Sequence, residues 1–305
     1  MAFLTDVATL SLTCFNRNEI EDMMQWHVLQ GGNFIDTAKG TYAHLHDPAR
    51  RLHFFHYLED DGQEVTAEQK DVPWRLDLHA DTGQAGNVQV TITEEIKKDM
   101  VASQDARFNN LTPVLLPVAD REDPVTILVD LINKNMIPAA DQVIDLNLNV
   151  SVLDMQFFAN RADWVSQAGL NPDQAKEAPD MFPLGIAVNR MMQEKDTENM
   201  DDQAVALMRY AAEDLAINPI GLMNLNGTVE SVEQVHLGNG LYNYLLALKT
   251  DLGVFRAVVP ERFIQVEEVS EGNYITLIGF FSGIYIGEPA PKEDKEKVVP
   301  LHPVH

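Results

Sequence analysis

Histidine and aspartate side chains cluster in the first hundred residues, where their types could support metal chemistry. His44-Leu45-His46-Asp47 places two imidazoles two positions apart, so that they share one face if the segment is extended. Asp77-Leu78-His79-Ala80-Asp81 repeats this spacing with two carboxylates and one imidazole. Imidazole nitrogens and carboxylate oxygens are ligands of zinc, manganese and iron. The sequence therefore indicates one candidate divalent-metal site made of His44, His46, Asp47, Asp77, His79 and Asp81.

A metal-dependent hydrolase would need these two clusters to converge and to leave a coordination position open for water. The familiar metallohydrolase spacings His-Glu-x-x-His and His-x-His-x-Asp-His are absent from the sequence. His53 and His56 lie in a neighbouring predicted strand, residues 51–57. The alternative interpretation is that Asp77, His79 and Asp81 form the solvated face of an antiparallel sheet, while residues 44–47 form a polar turn before Pro48.

Other signatures of enzymatic chemistry are missing. The sequence contains no Gly-x-Ser-x-Gly, no P-loop and no Gly-x-Gly-x-x-Gly. We therefore predict no organic cofactor, and a divalent metal ion at the His/Asp residues is the one cofactor that the sequence suggests.

The charge of the chain restricts its partners and its compartment. With 47 acidic and 22 basic residues among 305, the net charge is −25, which repels nucleic acid and anionic lipid and attracts basic surfaces.

Cys14 is the single cysteine, so no intrachain disulfide and no cysteine-based zinc site can form. The most apolar run, residues 274–286, is far shorter than the roughly 20 residues of a membrane helix. We predict a cytoplasmic protein that does not associate with membranes.

Five extended runs separated by short turns follow one another between residues 222 and 287. Gly and Asp occupy the turns, and β-branched and aromatic residues fill the runs, which indicates a compact antiparallel barrel. The order of an opening Gly227-Thr228-Val229, a meander, a short link and a final hairpin resembles an OB-fold or the related S1-type barrel. Alternation in residues 241–250 predicts one buried face, which we assign to Leu246 and Leu248.

The OB-like resemblance implies a binding surface on one sheet face, where aromatic side chains stack on bases and basic side chains contact phosphates. The candidate ligand-binding residues on this surface are Tyr242, Tyr244, Phe255, Arg256 and Arg262. Seven acidic residues lie in the same stretch, residues 222–287. We therefore expect a protein or peptide with a basic surface as the partner, and not nucleic acid.

These patterns together predict an α+β protein with an N-terminal domain of mixed helices and strands (residues 1–170). A connector (171–219) with a helix at residues 201–217, where apolar residues form a stripe on one face, would follow. An OB-like antiparallel β-barrel (220–287) and a disordered tail (288–305) would complete the chain. Within the N-terminal domain, residues 145–153 alternate like a strand, and Asp123-Pro124 indicates the start of a helix.

The function predicted from the sequence is that of a non-enzymatic cytoplasmic binding or assembly protein that acts through protein or peptide contacts. The alternative is a metal-dependent hydrolase that uses the His/Asp residues of the N-terminal domain. A further alternative is single-stranded nucleic-acid binding through the OB-like barrel.

Overall fold

Two β-sheets make up most of the part of the chain that the structure describes. A computed structural model describes residues 3–5, 32–37, 40–59, 75–93, 111–119, 121–137, 142–194, 202–213, 218–238, 240–264 and 269–288. A strand expected at residues 7–15, a helix expected from Asn18 and nearly all of the expected tail lie outside the described residues. Within them, no helix is long and apolar enough to span a lipid bilayer.

The smaller sheet is formed by the N-terminal part of the chain. Its five strands are β1 (Phe3–Thr5), β2 (Asn33–Asp36), β3 (Gly40–Asp47), β4 (Leu52–Glu59) and β5 (Arg75–Ala80). They lie in the order β1-β5-β4-β3-β2, with β1 parallel to β5 and the other neighbours antiparallel.

The larger sheet contains nine strands and runs through the rest of the chain. The strands are β6 (Asn87–Ile92), β7 (Leu111–Leu116), β8 (Val125–Leu131), β9 (Val143–Phe158), β10 (Met181–Phe182), β11 (Met223–Gly238), β12 (Leu241–Thr250), β13 (Gly253–Pro260) and β14 (Tyr274–Tyr285). Their order is β10-β11-β12-β13-β9-β14-β8-β7-β6.

Two additional pairings close the larger sheet into two rings that share β9 and β14. In the first ring β11, β12, β13, β9 and β14 are neighbours in that order, and β14 pairs back to β11. In the second ring β9, β14, β8, β7 and β6 are neighbours, and β6 pairs back to β9. The largest apolar cluster of the protein draws buried side chains from the strands of both rings.

Four helices accompany the sheets in the described part of the chain. They are α1 (Arg161–Gln167), α2 (Pro172–Glu177), α3 (Leu184–Glu194) and α4 (Asp202–Glu213). Val188 of α3 and Met208 of α4 pack against Phe280 of β14, so these two helices cover one side of the larger sheet.

The predicted α+β class is wrong, because the described structure is mostly β and is organised as two sheets. The helix expected after Asp123-Pro124 is instead strand β8, which pairs with β7 and β14. Val125, Ile127 and Val129 are β-branched, and such side chains favour strands over helices. Because the last five residues of β8 are all buried, the alternation that marks a half-buried strand is absent there.

The prediction that residues 222–287 form a barrel by themselves is also wrong. That segment supplies β11, β12, β13 and β14, but β9 lies between β13 and β14. Ala257 and Val258 of β13 lie parallel to Val150 and Ser151 of β9. A strand that the sequence assigned to the N-terminal domain therefore belongs to the same ring.

Both faces of the smaller sheet are packed against the larger sheet. On one face, Phe54 and Leu78 pack with Leu245 and Val258 of β12 and β13. On the other face, Phe55 packs with residues that include Ile284 of β14. This second face carries His44, His46, His53 and His79, and the side chain of His46, close to the β3–β4 turn, is exposed.

Candidate metal centre

The β3–β4 hairpin brings three histidines into one row across the sheet. His46 lies directly opposite His53, and His53 lies directly opposite His79 of β5. Side chains that are directly opposite in an antiparallel pair point to the same face, with Cβ atoms roughly 5 Å apart. His44 shares this face because it lies two residues before His46.

Asp81 approaches the row from just beyond the end of β5. Its Oδ1 accepts a hydrogen bond from the Gly83 backbone N–H at 2.7 Å, and its Oδ2 lies 3.0 Å from His46 Nε2. Gly83 has φ +65°, a left-handed conformation that glycine adopts without strain. The tight turn after β5 therefore holds the carboxylate over the exposed end of the histidine row.

His46, His53 and Asp81 each offer a ligand atom, and the three atoms lie within 4.8 Å of one another. Two imidazoles and one carboxylate are a common ligand set for divalent transition metals such as zinc and iron. The side chains of His46 and Asp81 are 39% and 22% exposed, so an ion could reach these atoms from solvent.

The local environment keeps two of the imidazoles neutral. Burial, together with the neighbouring histidines, lowers the pKa of His53 to about 3. Burial and the nearby His46 lower the pKa of His44 to about 4. A neutral imidazole keeps the nitrogen lone pair that a metal requires.

The pKa of the Asp81 carboxyl is lowered as well. Burial by itself would raise it, but the Gly83 N–H and the nearby His53 and His46 together outweigh that effect. Asp81 is therefore a carboxylate at neutral pH, which is the form that binds metal.

His44 contacts the candidate site without joining the group of three. Its Nε2 lies 3.0 Å from Nδ1 of His53. Its ring stacks on Phe55 with centroids 4.3 Å apart and planes 12° apart. The ring of His53 stacks on His46 with centroids 4.2 Å apart, so both members of the His44–His53 pair are held in place by ring contacts.

His79 lies in the row but is engaged elsewhere. It is fully buried, with Nδ1 3.1 Å from Ser282 Oγ and Nε2 3.0 Å from Asn147 Oδ1. Both ring nitrogens thus contact the larger sheet through β14 and β9. This geometry makes His79 a link between the two sheets rather than a ligand.

The two remaining predicted ligands also lie outside the group of three. Asp47 accepts hydrogen bonds from the backbone N–H groups of Ala49 and Arg50 and pairs with the Arg50 guanidinium at 2.6 Å. It therefore shapes the β3–β4 turn, as aspartate commonly does. Asp77 is buried one row further along β5, opposite Phe55.

The sequence-based candidate set omitted His53, which the structure places at the centre of the site. A signal for it was present, because a hairpin that turns at residues 48–51 puts position 46 opposite position 53. Residues 44–47 were expected to form a polar turn or an extended segment without an assigned partner strand, and that expectation did not include the pairing of His46 with His53.

The candidate ligand-binding residues of the first ring are mostly internal. Tyr244 and Phe255 are 4% and 5% exposed, and Phe255 packs against Phe281. Tyr242 is half-buried beside His236, and Arg256 donates to Ser231 Oγ at 3.3 Å. The side chain of Arg262 lies outside the described part of the structure. The buried rings of Tyr244 and Phe255 present no face on which a base could stack.

Comparisons with models of protein families, with curated proteins and with solved structures gave no match. The resemblance of residues 222–287 to OB-fold and S1-type barrels stays a prediction. Any proposal about function therefore depends on the geometry of the chain itself.

Proposed function

We propose that this protein binds one divalent transition-metal ion through His46, His53 and Asp81. The observation that carries the proposal is the convergence of two imidazoles and one carboxylate within 4.8 Å. They come from β3, from β4 and from the turn after β5, which the hairpin register and the Gly83 turn bring together. Three protein ligands leave further coordination positions for water or a substrate atom.

The surroundings of the three residues favour a bound cation. Metal ligands are typically oriented by hydrogen bonds from residues that do not touch the metal. Here the Gly83 N–H orients Asp81, and His44 contacts His53. The net charge of −25 also raises the local concentration of cations around the protein.

A direct test is metal binding by the full chain after treatment with a chelator. We expect one Co²⁺ or Zn²⁺ per chain by elemental analysis, and visible absorption bands of Co²⁺ that indicate nitrogen and oxygen ligands. Asp81→Asn should weaken the affinity at least about tenfold, because an amide is a poorer ligand than a carboxylate.

Asp145→Asn is the matched control, since Asp145 is an exposed aspartate of β9 outside the site. It should leave the Co²⁺ affinity unchanged. If the wild-type chain binds no metal stoichiometrically, or if Asp81→Asn binds as tightly as wild type, the proposal is wrong.

A metal-dependent hydrolase is the second candidate, and the partial exposure of the His46 and Asp81 side chains favours it because water and a substrate could reach the ion. A bound metal ion lowers the pKa of a coordinated water and so supplies hydroxide near neutral pH. The Zn²⁺-, Mn²⁺- or Co²⁺-loaded chain should then hydrolyse p-nitrophenyl phosphate or p-nitrophenyl acetate, and Asp81→Asn should abolish the activity. Metal binding without turnover would instead favour the non-enzymatic binding role that the sequence suggests.

A further inference from the structure

We propose that His44 is a positioning residue that accepts a hydrogen bond from the Nδ1–H of His53 and thereby presents Nε2 of His53 to the metal. The inference rests on the proposed metal site and identifies a residue outside the three ligands that would set its affinity. Its basis is the 3.0 Å contact between His44 Nε2 and His53 Nδ1.

A hydrogen bond between two neutral imidazoles requires one donor and one acceptor. If His44 Nε2 carried the proton, His53 would accept it at Nδ1 and would carry its own proton at Nε2, where no metal could bind. If His53 Nδ1 carries the proton, His53 Nε2 has a free lone pair. The His44–His53 pair therefore has two tautomeric arrangements. Only the one with the proton on His53 Nδ1 allows a metal to bind at His53 Nε2.

His44 is stacked on Phe55 and His53 on His46, and an imidazole packed among other rings favours its neutral form. Near neutral pH each ring then carries a single proton. Metal at His53 Nε2 is compatible with one arrangement only, in which His53 donates and His44 accepts.

Ring stacking limits the other ways in which His53 could turn toward an ion. His44 is stacked on the buried ring of Phe55, and His53 is stacked on His46 at an interplanar angle of 10°. A metal bound at His53 Nδ1 would have to displace His44 from this contact. The packed arrangement therefore favours Nε2 as the ligand atom.

Outer contacts of this kind typically change metal affinity about 10- to 100-fold when they are removed. In Co²⁺ titrations of the full chain, His44→Leu should weaken binding by about that factor. His44→Gln keeps a side-chain oxygen that can accept the same hydrogen bond, and it should restore most of the affinity. His236→Leu, which removes an exposed histidine outside the site, should bind Co²⁺ like wild type.

The tautomers can be read directly in the wild-type chain, without any variant. In ¹⁵N–¹H correlation spectra of the Zn²⁺-loaded protein, His53 should carry its proton on Nδ1 and show Nε2 as the metal-bound nitrogen. Equal Co²⁺ affinity of His44→Leu and wild type, or a metal-bound Nδ1 on His53, would overturn the inference while leaving the metal site intact. Absence of metal binding by the wild-type chain would overturn both.

Discussion

At the scale of single residues, the buried histidine His79 connects the two sheets. Its nitrogens lie within hydrogen-bonding distance of Ser282 and Asn147. Asn147 also accepts from Thr82 Oγ1 and donates to the Gly83 backbone oxygen. The turn that orients Asp81 is thus tied to β9 through the same polar network, so the candidate site depends on the contact between the sheets.

This network predicts that the metal-free protein loses stability in mild acid. Burial lowers the pKa of His79 to about 4, below its ordinary value of 6.5. Between these two pH values the unfolded chain binds a proton that the folded chain does not, so stability falls as pH falls. The lowered pKa values of His44 and His53 act in the same direction. Urea unfolding should give a lower free energy of unfolding at pH 5 than at pH 7, by roughly 2 kcal/mol for one fully buried histidine.

The variant His79→Gln shows how much of this pH dependence of stability comes from the buried ring of His79. The variant should be less stable than wild type at pH 7, but its loss between pH 7 and pH 5 should be smaller. His236→Gln, at an exposed position, should keep the full loss. An unchanged pH dependence in His79→Gln would contradict the assignment.

At the scale of elements, strand β12 is buried on both faces. Leu246 and Leu248 pack in the large apolar cluster of the rings, whereas Leu245 packs against the smaller sheet. The sequence predicted a buried face with Leu246 and Leu248, which the structure confirms, but it expected the other face to be open. The smaller sheet covers that other face.

Leu248→Ala and Leu245→Ala should therefore both be costly. Each creates a cavity in a packed region, and we expect a loss of about 2–5 kcal/mol in the free energy of unfolding for each variant. Val254→Ala, at an exposed position of β13, should change stability by less than about 0.5 kcal/mol. A negligible effect of Leu245→Ala would mean that the two sheets do not pack through this strand.

The pairing of β9 and β14 depends on the small size of Gly279. The register between these strands shifts between Ile278 and Gly279. A Cβ added at Gly279 would lie 2.2 Å from the backbone oxygen of Ser151, whereas one added at Gly227 would lie 3.0 Å from that of Lys249. Gly279→Ala should therefore destabilise the protein by at least about 1–3 kcal/mol.

Thermal unfolding of Gly279→Ala and Gly227→Ala provides the comparison. We expect the lower transition temperature for Gly279→Ala, because the added Cβ would lie 2.2 Å from a backbone oxygen there but 3.0 Å from one at Gly227. Equal transition temperatures would show that β9 can shift away from β14 at little cost.

At the scale of the whole molecule, β9 and β14 belong to both rings of the larger sheet. β9 is 16 residues long; it pairs with β14 over residues 146–158, with β6 over residues 143–147 and with β13 at residues 150–151. Unpaired strand edges expose backbone N–H and C=O groups. Removal of β9 would leave such edges on β13, β14 and β6.

A fragment of residues 220–287 should therefore fail to unfold cooperatively, because it contains β13 and β14 without β9 between them. A fragment of residues 142–288 restores that strand and is the appropriate comparison. Urea titrations followed by circular dichroism would distinguish the two. A cooperative transition in the shorter fragment would support the independent C-terminal domain that the sequence predicts.

Local patterns in the sequence were sufficient for several individual elements. Alternation predicted a strand at residues 241–250, where β12 lies, and an apolar stripe predicted a helix at residues 201–217, where α4 occupies Asp202–Glu213. Side-chain periodicity depends on neighbours a few residues apart, so it can be read without knowledge of the fold. The same local reading identified four of the residues that face the candidate site: His44, His46, His79 and Asp81.

Which of these residues meet depends on strand pairing and turn geometry. The register between β3 and β4 placed His53 beside His46, and the turn at Gly83 brought Asp81 to them, while Ser282 and Asn147 occupied His79. The partnership of β9 with β13 and β14 joins segments about a hundred residues apart, and such pairing depends on packing that no short window of sequence contains. The predicted α+β class was wrong because strands that are buried on both faces lose the alternation of polar and apolar residues that identifies a strand in a sequence.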